Sequence, residues 1–478
     1  MLVSQKQINF LRGWPTPGLL PTKLLSSACQ RILANQNEYT EMQEYGSCHG
    51  LTRLRRGLAN WVGRHYGVTS DLERICITGG ASQNLVCILQ CFSDVNYTRA
   101  VWIVAPCYHL ACGIFEDSGF AGRLYAVPED DEGIDLQIFD RRLQEFEKQD
   151  KQKRDQKVFY PTCITSPYGG LCFSRADKPM QPFKLPSADR KLYRHLIYTV
   201  PTCSNPSGLT MSLERREGLV QLARKYDALV ISDDVYDFLQ WPLTEPVTPD
   251  RSAEMRLPRL CDIDRSMGPS DNDPHGFGHA ISNASFSKIS GPSVRTGWAE
   301  ASPMFISRIA RTAATRSGGA PSQLCAAMLA EVVENGQLQK FVDETVRPTL
   351  QRRHKLMMDA IQRHLSPMGV KTRIGSLNGQ RIYGGYFVWL DMGSEFSTKF
   401  IADVLKAEEN IIIGHGQMFA VYGDEKSASF DSSVRLCFAW EAEQDIVDGI
   451  RRMGQLLSRM HSNREYYLHL ASMSGNMG

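Results

Sequence analysis

The sequence predicts an α/β protein, with a large unit on a mostly parallel central sheet and a smaller α+β unit beside it. Three observations carry this prediction. Short apolar or β-branched runs alternate with helical patterns through the middle of the chain. The pattern changes near residue 331, where a long helical stretch begins. The chain has 478 residues, more than one simple core serves, so two domains are expected. The expected boundaries are 48–330 for the large unit, and 1–47 with 331–478 for the small one.

The opening stretch, MLVSQKQINFLRGWPTPGLLP, has no basic segment followed by a long apolar run. No later run is long enough to span a bilayer, so a cytoplasmic chain with no membrane partner is expected. The runs RICIT (74–78), AVWIVAP (100–106), HLIYTVPT (195–202), ALVISDD (228–234), HAISNASFS (279–287) and RTGWAEA (295–301) read as strands. They are almost continuously apolar or β-branched, as strands buried on both faces of a parallel sheet are. SLERREGLVQLARKYD reads as a helix: Ser212 is a good N-cap, Glu214 suits the positive end, and Leu219, Leu222, Ala223 and Tyr226 share a face.

Residues 331–365 read as one long helix, bent near Pro348. A strand (YGGYFVWLDM), a helix around 397–408, a strand (SVRLCFAW) and a last helix follow, the last with Ile446, Ile450, Met453, Leu457 and Met460 in one stripe. The N-terminal segment is expected to pack on this unit. The polar stretch 145–157 reads as a solvated helix end or loop, and 158–194 as a surface insertion. The end, from about 462, is expected to fray.

Composition excludes several classes. Net charge is +2, with 42% hydrophobic and 22% charged residues, so neither nucleic acid nor an anionic membrane is an expected partner. The 13 cysteines are scattered without a CxxC pair, which predicts buried thiols in a reducing compartment and no metal site.

Four clusters carry chemistry. In ISNASFSKISGPSVRTGW, Lys288 sits among Ser285, Ser287 and Ser290, with Arg295 seven residues on. A lone lysine is usually a solvated charge, but hydroxyls beside a guanidinium make a natural phosphate grip. A coenzyme with an aldehyde and a phosphate needs such a lysine and such an anchor. In DDVY, at a strand end, Asp233 and Tyr236 suit a protonated pyridine and a ring hydroxyl, unless Asp233 and Asp234 merely cap the next segment. SNPSG makes a turn on its own and also aims Asn205 at a sheet crevice. TGGASQNL is either a plain strand–helix turn or a phosphate seat at a helix N-terminus.

With EYGSCHG, PCYH and VRLCF, these motifs form an ordered set running from about residue 10 to the last helix. In that order the chain resembles the class I/II aminotransferases, the fold-type-I enzymes that use pyridoxal 5′-phosphate, with the 2-aminoadipate and aromatic branch nearest. The resemblance implies that Lys288 forms the Schiff base and shuttles the proton between substrate α-carbon and cofactor C4′. It implies that Asp233 pairs with the pyridine nitrogen and that Tyr236 and Asn205 hold the ring 3′-oxygen. Tyr108 matches the residue stacked on the ring. Gly80, Ala81, Ser82, Ser285, Ser287 and Arg295 match the phosphate cup. Arg435 matches the α-carboxylate fork, and Gly13 the N-terminal glycine near that carboxylate. Tyr45 matches a tyrosine that reaches the partner subunit's phosphate, which implies a homodimer with shared sites. Arg12 is a candidate for a substrate side-chain carboxylate, or else a surface charge.

The chain departs from the pattern at Ser207 (commonly Thr), Ser293 (commonly Gly) and Ala81 (commonly Ser). Transamination between an L-amino acid and a 2-oxo acid is the activity implied. The same constellation also serves pyridoxal-phosphate lyases and β- or γ-replacement enzymes. A cofactor-binding transcription regulator is disfavoured, since only about nine residues precede FLRGWP. A non-catalytic relative is disfavoured by the retained Lys288, Asp233 and arginines.

Overall fold

The computed structural model describes residues 6–69, 71–155, 181–243, 255–319, 321–377 and 380–474. Strand β1 is Ile8–Asn9. Then come β2 (Ile75–Thr78), β3 (Ala100–Ala105), β4 (Leu124–Asp130), β5 (Gly133–Ile134), β6 (His195–Thr199) and β7 (Ala228–Asp233). The short β8 (Gln240–Pro242) precedes β9 (Ala280–Ser285) and β10 (Gly297–Glu300). The C-terminal part adds β11 (Lys371–Thr372), β12 (Ser376–Leu377), β13 (Gln380–Gly384), β14 (Phe387–Asp391), β15 (Ile411–Ile412), β16 (Gly414–His415) and β17 (Ser433–Cys437).

The large sheet runs β2-β10-β9-β7-β6-β3-β4-β5. From β9 to β4 every pair is parallel, and β3, β6, β7 and β9 are buried along their whole length. β10, expected as one more buried parallel strand, is antiparallel to both β2 and β9. The link from β9 to β10 spans only residues 286–296, too short for the crossover helix a parallel return needs. That tight reversal is the segment that carries Lys288 and Arg295. β4 escaped the sequence reading because LYAVPED carries a proline and two acids; it lies next to the short edge strand β5.

The helix Leu213–Lys225 starts where predicted, with the Ser212 side chain accepting from the Arg215 backbone N–H. Leu219 and Ala223 are fully buried in a cluster with Val230 of β7. In the C-terminal part, β11-β14-β17-β16 form an antiparallel sheet. The helix Glu443–Ser462 buries all five residues of its predicted stripe. β1 pairs in parallel with β15, and Cys437 N–H donates to Phe10 O at 2.8 Å, so the N-terminal segment lies on this part as expected.

Two expectations fail for physical reasons. The stretch 331–365 is not one helix: Gln323–Glu334 ends at Asn335, and Gly336 takes a left-handed φ of +73° before Gln337–Phe341 begins. Pro348 comes just after a π-helical turn, Val342–Val346, inside a continuous helical run from Gln337 to His364, so the regular helical ladder is interrupted where its missing N–H falls, as expected. The chain end does not fray at 462: Arg464–Ser474 is a helix, held by a 2.6 Å ion pair from Arg464 to Glu395 and by buried Tyr467 donating to Glu408 at 3.0 Å. Residues 145–155 complete the helix Leu136–Asp155. Most of the expected insertion, at 156–180, lies outside the described residues. Among the described residues, no helix is long and apolar enough to cross a membrane, and all eleven cysteines are free thiols.

Candidate active site

The carboxyl ends of β2, β6, β7 and β9 open on one side of the large sheet, where α/β sheets place ligands. There the N-terminal segment, the sheet and β17 enclose a cavity of about 510 Å³. Its lining brings together Arg12, Gly13, Ala81, Ser82, Tyr108, Asn205, Asp233, Tyr236, Ser285, Ser287, Lys288, Arg295 and Arg435. Residues over 400 positions apart thus meet in one space.

Two predicted residues stand elsewhere. Gly80 lies behind the wall: it caps the helix Ala81–Phe92 at φ +98°, and a Cβ there would sit 2.8 Å from Arg295 Nη2, so only glycine lets that guanidinium approach. Tyr45 is 79% exposed, outside its own chain's cavity, with its ring against Gly318.

Lys288 follows β9 in a short helical turn started by Ser285, whose hydroxyl accepts from Ser287 N–H. Its Nζ donates to Gly13 O at 2.9 Å and lies 5.6 Å and 5.3 Å from the centres of the Tyr236 and Tyr386 rings. Burial pushes the amine's pKa down to about 8, against opposing pulls from Cys437 and Asp233. A sizeable share of Lys288 is therefore the neutral nucleophile near neutral pH.

Asp233 ends β7. Its Oδ2 accepts from Tyr198 O–H at 2.7 Å, while Oδ1 is buried and has no partner among the described residues. Burial pushes this carboxyl up to about 6, although the Tyr198 hydrogen bond and the Lys288 charge pull it down. Arg435 projects from β17, opposite Trp389 on β14. Its Nη1 donates to Asn205 Oδ1 at 2.7 Å and its Nη2 to Leu11 O at 2.5 Å; Nε is buried and unpartnered. Its guanidinium lies 4.1 Å from the Phe387 ring centre, and burial lowers its pKa to about 10.

A third corner is built for an anion. The helix Ala81–Phe92 points its free first-turn N–H groups here. Ser285 and Ser287 hydroxyls are 2.9 Å apart. Arg295 is turned in by a left-handed φ of +43° and fixed by its hydrogen bonds to Pro292 O and Gly79 O, both 2.8 Å. Asn283 of β9 pins this corner, donating to Ala81 O at 3.0 Å and accepting from Asn84 at 2.9 Å.

The sequence reading missed Tyr198, Asn84 and Asn283. Tyr198 looked like one more core aromatic in HLIYT. Its distinguishing signal is the pairing of β6 with β7, which brings this strand against Ile231 two residues before Asp233. It also missed Trp14 and Phe387 in the lining.

A coenzyme with a protonated ring nitrogen, an aldehyde and a phosphate fits this donor set. The orphaned Asp233 oxygen matches the ring N–H, the part-neutral amine matches the aldehyde, and the Ser285–Ser287–Arg295 corner matches the phosphate.

Comparisons with known proteins agree. The family model "Aminotransferase class I and II" matches residues 18–175 and 188–452. The break at 176–187 falls within the expected insertion. An uncharacterized protein of Saccharomyces cerevisiae is 30% identical, covering 94% of this chain and 96% of its own. Aromatic-amino-acid aminotransferase 1 of Thermococcus litoralis is 25% identical, covering 94% and 88%. A crystal structure of α-aminoadipate aminotransferase from Thermus thermophilus, complexed with N-(5′-phosphopyridoxyl)-L-leucine, shares the fold with a TM-score of 0.69, at 23% identity over 95% of this chain and 93% of that one.

Proposed function

The chain belongs to the class I and II aminotransferases, and from that premise we propose a role for each residue around the cavity. The enzyme uses pyridoxal 5′-phosphate to move an amino group between an L-amino acid and a 2-oxo acid. Family membership and the aminotransferase relatives favour this over lyase or replacement chemistry. When bound, the cofactor supplies an aldehyde carbon that receives the amino group and a ring that accepts electrons from the substrate α-carbon.

Lys288 is the residue that would hold that aldehyde carbon through its Nζ, and once freed by an incoming amine the same nitrogen would carry the proton at the substrate α-carbon. Its lowered pKa supports both tasks. Asp233 Oδ1, buried without a partner among the described residues, would hold the proton on the ring nitrogen. Tyr236 and the Asn205 amide N–H₂ would hold the ring oxygen; the Asn205 Oδ1 is already taken by Arg435. Tyr108, in the cavity wall, would cover the ring face. The N–H groups of Ala81 and Ser82, the Ser285 and Ser287 hydroxyls and Arg295 would hold the phosphate, and Gly80 lets Arg295 in. Arg435 grips the substrate α-carboxylate, and Gly13 and Arg12 line the substrate end.

We read the enzyme as a homodimer in which Tyr45 reaches the partner subunit's phosphate, supported by its exposure away from its own cavity. The free thiols support a reducing, cytoplasmic setting. The observation that carries the whole reading is the convergence of Lys288, the orphaned Asp233 oxygen and Arg435 on one space. Borohydride reduction of the cofactor-loaded protein, followed by peptide mass spectrometry, tests it. The phosphopyridoxyl mass should fall on Lys288, Lys288→Ala should lose it, and an amino donor should yield its 2-oxo acid stoichiometrically. Label on a different lysine overturns the assignment.

A further inference from the structure

Lys288 is held from the C-terminal part of the chain as well as from its own loop. Tyr386 lies between β13 and β14 and is fully buried. Its hydroxyl donates to the Lys288 backbone O at 2.7 Å. The turn Phe286–Lys288 ends there, and among the described residues no backbone N–H donates to that carbonyl. The other side of the turn is closed locally, by the N–H groups of Ile289 (3.1 Å) and Ser290 (2.7 Å) donating to Phe286 O. The Tyr386 hydroxyl is therefore the group that fixes the carbonyl side of the lysine. Burial keeps this hydroxyl protonated far above neutral pH, so it remains a donor.

The same side chain meets the other end of the lysine. Lys288 Nζ lies 5.3 Å from the Tyr386 ring centre and 5.6 Å from that of Tyr236, and the two rings stand 5.6 Å apart at 63°. They form two walls around the nitrogen, which also donates to Gly13 O at 2.9 Å. Aromatic faces within about 6 Å attract an ammonium more than a neutral amine. Tyr386 is itself fixed on both sides: Gly385 N–H donates to Leu239 O at 2.9 Å, and Phe438 N–H to Tyr386 O at 3.0 Å. A flexible side chain that serves more than one reacting atom needs a fixed pivot and a defined resting place for its nitrogen. An error of about 1 Å in such a group costs roughly 100-fold in rate.

We propose that Tyr386 is a positioning residue for Lys288, its hydroxyl fixing the lysine's backbone carbonyl and its ring face receiving the freed amine. This rests on the aminotransferase reading above. It deepens that reading by tying the placement and strength of the reacting amine to one side chain of the C-terminal part.

Two variants separate the two contacts. Tyr386→Phe keeps the ring and loses the hydroxyl, and Tyr386→Leu loses both. Tyr193→Phe is the control: it removes a buried hydroxyl that donates to Gly278 O, at the opposite end of β9 from Lys288. Competitive acetylation of cofactor-free protein over a pH series, read by peptide mass spectrometry, gives the Lys288 pKa. One amino donor with 2-oxoglutarate gives kcat and KM. Tyr386→Phe should lower kcat by about 10- to 100-fold with KM nearly unchanged, and leave the Lys288 pKa in place. Tyr386→Leu should also lower that pKa, by about 0.5–1.5 pH units, because the ring favours the charged form. Tyr193→Phe should lose comparable stability in urea and keep its kcat. A kcat loss in Tyr386→Phe no larger than in Tyr193→Phe, or an unmoved Lys288 pKa in Tyr386→Leu, overturns the proposal. The Tyr386→Phe comparison decides by itself where Tyr386→Leu does not fold. Wild-type protein that transaminates with no donor, with Lys288 unlabelled by borohydride, overturns the underlying reading instead.

Discussion

Replacing Asp233 by asparagine should stabilise the cofactor-free protein and at the same time damage its cofactor site. Asp233 is 8% exposed, its Oδ1 has no partner among the described residues, and its pKa is pushed from 3.8 up to about 6. Each pKa unit corresponds to about 1.4 kcal/mol, so ionising this carboxyl in the fold costs roughly 3 kcal/mol. A carboxyl with a raised folded-state pKa holds its proton more tightly folded than unfolded. Its contribution is therefore most favourable below about pH 4, falls as pH rises from about 4 to 6, and is flat above. Asparagine is neutral throughout and keeps an oxygen for the Tyr198 hydroxyl. Urea unfolding of cofactor-free wild-type and Asp233→Asn protein should show little difference near pH 4. A gap should open through pH 6 and level off near 3 kcal/mol in favour of the variant. With cofactor bound the sign should reverse, because the ring proton has lost its counter-charge, and the variant should bind cofactor more weakly. A stability difference that ignores pH, or a variant less stable than wild type at pH 7.5 without cofactor, refutes this reasoning.

Other outcomes follow from the same geometry. The rate at which cofactor-free protein captures pyridoxal 5′-phosphate should rise with pH and level off above about 8, because burial has lowered Lys288 from 10.5; a rate still climbing at pH 10 contradicts it. The same shift makes the cofactor-free fold gain stability with pH between about 8 and 10.5, a gain that Lys288→Met should abolish. Tyr198→Phe removes the hydrogen bond that lowers Asp233, so the pH window of the urea series should extend above 6; an unmoved window shows that Tyr198 does not tune the acid. Gly297→Ala would place a Cβ 2.4 Å from Ala284 O and 3.0 Å from the Gly80 Cα. β10 must then shift from β9, and an unfolding measurement should show a loss of about 1–3 kcal/mol with weaker phosphate retention.

The sequence by itself determined the buried strands, because a strand covered on both faces must be apolar along its length, and HLIYT, ALVIS and AISNAS are. It also determined the local clusters around Lys288, Asp233 and Asn205, whose members are covalent neighbours placed together by a strand end and a turn. It could not show that β10 runs backwards, since burial looks the same in either direction. It could not show that residues 464–474 are anchored, since Glu395 and Glu408 lie far off in the chain. Only the tertiary structure decided that Tyr198 touches Asp233, that Asn283 pins the phosphate corner, and that Arg12 rests between Trp14 and Trp440 beside the site. Each of these depends on distant segments packing in one register, and hydrophobic pattern constrains which face a side chain takes without saying which distant partner it meets.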